Sequence, residues 1–104
     1  MPDWVDFQSQ VIRLTDERLA HILEHPEMAE TVSAIPEKLL YPDVVTISQS
    51  DDSVRLYYRR FLFTPVGDKL VCVVTKLSDG DCFIITAYLT DKIKRGDILW
   101  QRSA

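Results

Sequence analysis

The sequence predicts an α+β domain, with two N-terminal helices packed on one face of a four-stranded antiparallel meander and a short N-terminal edge strand. Three observations carry this. Apolar residues recur at helical spacing between Thr15 and Leu39. From Val44 onward the apolar period drops toward two, in runs rich in β-branched and aromatic residues. The runs are separated by the turn clusters SQSDD, TPVGD and SDGD, connections short enough to favour antiparallel neighbours. All 104 residues fit one domain, long enough to form a core without disulfides or metal.

Taken in order, Trp4 to Leu14 alternates loosely and supplies the edge strand, ending at QVIRL. Thr15 is an N-cap, and Asp16 and Glu17 suit the positive end of the helix dipole. The first helix is expected to run to about His25, burying Leu19, Ile22 and Leu23, and to break before Pro26. Pro26 opens a second helix whose stripe is Met28, Thr31/Val32, Ile35 and Leu39, kinked at Pro36. Strands follow at VVTIS (44–48), VRLYYRRFLF (54–63), KLVCVVTK (69–76) and CFIITAYLT (82–90). DKIKRGD is expected to form one helical turn stopped by Gly96.

A two-residue Asp79-Gly80 turn sorts the last hairpin's side chains. Leu70, Cys72, Val74, Phe83, Ile85, Ala87 and Leu89 then face the helices. Val71, Val73, Thr75, Ile84, Thr86 and Tyr88 face away, as a mixed, shallow binding surface. A three-residue turn would instead bring Lys76 to the Thr86/Tyr88 side, because a slip of one residue exchanges the faces. In this register Cys72 and Cys82 lie too far apart for a disulfide and are expected as reduced, packed thiols.

Charge is divided along the chain. Residues 1–52 hold three bases against eleven acids, a net −8, and residues 53–104 hold nine bases against five acids, a net +4. A basic, strand-rich half is suited to meeting an anion. The segment MPDWVDFQSQ carries acids where a secretory signal places bases, and no apolar run approaches the roughly 20 residues of a spanning helix. A cytoplasmic protein without membrane contact is the expectation.

Several segments carry chemistry. HILEH (21–25) matches a zinc-protease pattern, H-x-x-E-H, but Pro26 should distort the second histidine's backbone, so no metal is expected. The same residues, His21 and His25, are suited to proton transfer near neutral pH. LYYRRF places Tyr57 and Arg59 on one face of a strand and Tyr58 and Arg60 on the other. Arginine grips phosphate and tyrosine stacks on bases, so either pair can contact RNA, and alternation does not choose between them. Thr86 and Tyr88 share a face, with Lys92, Lys94 and Arg95 just beyond as a basic footprint.

The succession RLTDERLAHILEHPEM, LLYPDVV, LYYRRF, LVCVVTK and IITAYLTDKIKRG resembles small bacterial and phage proteins of the barnase–EndoU–colicin–RelE-like nuclease superfamily, nearest its phage-associated branch. The likeness covers about residues 11 to 96. It implies RNA cleavage on an exposed sheet face, without metal or cofactor, by proteins that are often toxins countered by an antitoxin. It also implies a helix histidine at His21 or His25, a strand arginine at Arg59 or Arg60, and late-strand hydroxyls at Thr86 and Tyr88. Two features depart from it: Glu24 precedes His25 where relatives carry arginine, and the pI is about 5.0.

The expected function is therefore a metal-independent endoribonuclease using 2′-hydroxyl attack. His21, His25, Arg59, Arg60, Thr86 and Tyr88 are its catalytic candidates. Tyr57, Tyr58, Lys76, Lys92, Lys94 and Arg95 are candidates for RNA contact. The alternative is a non-catalytic interaction module on the same scaffold, pairing with a second copy or another protein; zinc binding through HILEH is third.

Overall fold

The structure is a computed structural model that describes residues 3–29, 31–64 and 67–102. It replaces the expected four-stranded meander with one seven-stranded mixed sheet, ordered β1-β2-β6-β5-β4-β3-β7. In chain order the elements are β1 (Asp3–Val5), β2 (Val11–Arg13), α1 (Asp16–Ile22), α2 (Ile35–Leu40), β3 (Val44–Ser48), β4 (Val54–Thr64), β5 (Gly67–Ser78), β6 (Asp81–Thr90) and β7 (Gly96–Gln101). All neighbouring pairs are antiparallel except β2 and β6, which run parallel through Ile12/Cys82 and Arg13/Phe83. Pro65 and Val66, at the centre of the expected TPVGD turn, lie outside the described residues.

The helical region is smaller than its periodicity implies. Thr15 caps α1 by accepting from the Arg18 amide at 3.2 Å, yet α1 stops at Ile22. His25 is extended because it precedes Pro26. The expected second helix is two single 3-10 turns, Pro26–Met28 and Val32–Ala34, followed by the six-residue α2. Pro36 does not kink a helix; it sits in the first turn of α2, where its missing N–H costs nothing. The apolar stripe survives these breaks: Ile22, Met28, Ile35 and Leu39 are all fully buried against the sheet.

The Asp79-Gly80 turn forms as read, with φ of 51° and 79° and Ser78 opposite Asp81. A register shift then intervenes. Thr75 pairs with Ile84 but Val74 pairs with Thr86, leaving Ile85 as the extra residue of a bulge. Val71, Val73, Ile84 and Ala87 consequently join the helix-side core, with Tyr57 and Val45. Leu56, Tyr58 and Cys72 form a second cluster, with Val54, Val74 and Tyr88 against it and no helix residue in it. Val71, Val73 and Ile84, expected on the exposed face, thus lie in the helix-side core, and Leu70, Cys72 and Val74, expected against the helices, lie in or against the second cluster. Cys72 and Cys82 are free, buried thiols in different clusters.

Residues 91–95 form no helical turn. They link β6 to β7, which lie four strand positions apart in the sheet. The connection crosses the helix-free face, where the Lys94 amide donates to the Tyr58 hydroxyl at 3.1 Å. β7 then pairs with β3, an element the turn-like reading of DKIKRGD hid.

Candidate functional site

The crossing segment and the second cluster together make a cavity of about 550 Å³ on the helix-free face. Its floor is Val54, Leu56 and Val74, and Ser48, Gln49 and Ser50 contribute polar rim. Thr86 and Tyr88 come from β6, and Lys94 and Arg95 from the crossing segment. Alternation along β6 puts Ala87 and Leu89 among the helices and therefore turns Thr86 and Tyr88 into this cavity. The Lys94 ammonium lies 5.8 Å from the centre of the Tyr88 ring, a cation over an aromatic face. The Thr86 hydroxyl oxygen is buried with no hydrogen-bond partner among the described residues. A buried hydroxyl left unmatched costs free energy until something meets it.

The phenols and the thiol around the cavity are held neutral. Burial raises the Tyr88 phenol above its ordinary range, with the neighbouring Cys72 adding to the effect. Burial pushes Tyr58 up to about 12, while the Lys94 amide bonded to its oxygen pulls the other way. The Cys72 thiol is pushed up to about 11 by burial, against hydrogen bonds with Tyr88 and Tyr58. At neutral pH these are hydrogen-bonding and stacking groups, and none is a base.

The remaining candidates are dispersed. His21 and His25 lie on the helix side, their ring centres 6.4 Å apart, with Nδ1 atoms 3.6 Å from Glu24 and 3.7 Å from Glu27. The sheet separates them from Tyr88, so no single pocket gathers imidazole, guanidinium and phenol. Tyr57 is fully buried and donates to Asp6 at 2.6 Å, which removes it from any RNA surface. Arg59 faces the helix side and donates to the Tyr41 carbonyl. Arg60 lies on the helix-free side, in a separate cavity with Asp43, Lys69 and Asp91, where Lys69 and Asp91 pair at 2.6 Å.

Lys76 is paired with Asp51 at 3.3 Å. Its pairing with Val54 and Phe83 places it on the helix-free face, so the bulge does what a longer turn was expected to do. Lys92 is exposed, its amide held by the Thr90 hydroxyl. Among the described residues no group of three or more His, Cys, Asp or Glu is placed to hold a metal ion. Tyr58, expected as an RNA contact, is instead the buried support beneath Lys94.

No protein-family model matches the chain, and no curated protein or solved structure matches it.

The floor and rim residues escaped the reading of the sequence. Val54, Leu56 and Val74 look like ordinary strand residues, and the partial signal was the even-numbered alternation they share with Tyr58 and Cys72. Ser48-Gln49-Ser50 read as turn chemistry alone, since nothing local reveals that residues 91–95 pass close by.

Proposed function

We propose that the protein is an RNA-binding module that holds a single-stranded segment in the cavity between β6 and the 91–95 crossing. The observation that carries this reading is the shared cavity of Thr86, Tyr88, Lys94 and Arg95. A base stacks on the Tyr88 ring over the apolar floor, and its phosphate is met by the two cations. The Thr86 hydroxyl supplies a hydrogen bond that nothing else in the described fold takes up. A histidine-driven cleavage step is not part of this reading, because both imidazoles stand on the far side of the sheet.

Fluorescence anisotropy with a labelled single-stranded RNA of about ten nucleotides, in EDTA, tests it. Tyr88→Ala should weaken binding by about ten-fold, the scale of one base stacked on an aromatic side chain. Replacing Lys94 and Arg95 together should lower the salt slope by roughly one to two phosphate contacts. Binding that ignores all three substitutions would sink the proposal. Cleavage of the probe in EDTA, abolished by Tyr88→Phe, would instead favour the ribonuclease activity implied by the sequence resemblance.

A further inference from the structure

On the helix side, where Arg59 of β4 approaches the end of β7, lies a third cavity of about 730 Å³. Two guanidiniums from different parts of the chain converge there on one backbone oxygen. Arg59 and Arg102 both donate to the Tyr41 carbonyl, Arg102 at 3.0 Å. Arg102 also lies 3.4 Å from Asp43. Two like charges directed at one neutral acceptor repel, and each carries more N–H donors than these contacts use. The lining carboxylate Glu37 is engaged with Lys38 at 3.2 Å. With Asp43 on Arg102, the Arg59 guanidinium is the charge left without a carboxylate partner among the described residues.

The cavity wall is aromatic. Phe7 and Trp100 pack with ring centres 5.0 Å apart, both only partly buried, and Tyr41 is 60% exposed. A planar ring resting on this wall would leave its charged end beside the guanidiniums, whose forked donors match phosphate. We infer that this cavity is a binding site for a phosphate monoester carried on a planar ring, with nucleoside monophosphates as the ligand class. The site stands on different residues and the opposite sheet face from the proposed RNA cavity, so neither depends on the other.

Isothermal titration of the whole chain with AMP, adenosine and inorganic phosphate tests the assignment. AMP should bind at least about ten-fold more tightly than either fragment, since both halves of the site contribute. Arg59→Gln and Arg102→Gln should each weaken AMP by about ten-fold or more, the scale of one charge-assisted hydrogen bond. Arg60→Gln removes the same charge elsewhere and should leave AMP binding unchanged. Arg102 is exposed at a strand end, so its variant decides the matter even where Arg59→Gln fails to fold. Equal affinity for AMP and inorganic phosphate, or equal losses from Arg60→Gln and Arg102→Gln, would overturn the inference, as would the absence of AMP binding.

Discussion

Tyr57 and Tyr58 are neighbours in sequence with opposite duties. Tyr57 points into the helix-side core and donates to Asp6, itself only 2% exposed. Asp6 also accepts from the amides of Gln8 and Gln10, both at 2.8 Å, and so organises the link between β1 and β2. Tyr57→Phe removes a donor from a buried carboxylate and should cost about 1–3 kcal/mol. Urea denaturation measures this; a loss near zero would mean that water replaces the hydroxyl. At this scale residue types were legible and faces were not. Tyr and Arg in LYYRRF read rightly as alternating, but which pair faced the helices depended on partners far along the chain. The histidines illustrate the same limit, because a two-histidine spacing says nothing about which side of the sheet its helix covers.

Elements were legible where local chemistry fixes them and obscure where a neighbour does. The Asp79-Gly80 turn needs two left-handed residues, and that pair announces it. The bulge at Ile85 has no such signature, yet it alone sorts Val74 and Cys72 with Thr86 and Tyr88. β7 was hidden because Gly96 reads as a helix stop. In the sheet Gly96 is instead a close-approach residue: a Cβ there would stand 2.4 Å from the Ile47 carbonyl oxygen. Gly96→Ala must therefore push β7 away from β3, breaking the Ser48 end of that ladder. A Cβ on Gly80 meets nothing within 4 Å, so Gly80→Ala costs only its left-handed backbone, roughly 1 kcal/mol. Thermal melts should rank Gly96→Ala as the more destabilising change and show lost amide protection in β7. The reverse order would mean that the β3–β7 pairing contributes little.

The whole molecule is a sheet with a core on each side, and that arrangement was the least legible part of the sequence. The parallel β2–β6 pair and the crossing to β7 depend on contacts spanning most of the chain, which no local period encodes. The two-sided plan has a consequence for pH. Each cluster buries one tyrosine and one cysteine: Tyr57 and Cys82 with the helices, Tyr58 and Cys72 beneath the crossing. All four are shifted upward, chiefly by burial. A group whose folded pKa is raised contributes stability below its unfolded pKa and loses it as pH climbs through the folded value. Cys72 begins at its ordinary 9.0 and reaches about 11, and Tyr58 runs from 10.0 to about 12. Stability should therefore hold to about pH 9 and fall by on the order of a few kcal/mol toward pH 12. Because both cores are loaded alike, loss should be cooperative: in a Tyr41→Phe variant, which removes the exposed tyrosine, tyrosinate absorbance and far-UV circular dichroism should change together. Tyrosinate appearing well before secondary structure is lost would show instead that the crossing segment lifts first and the helix side survives it.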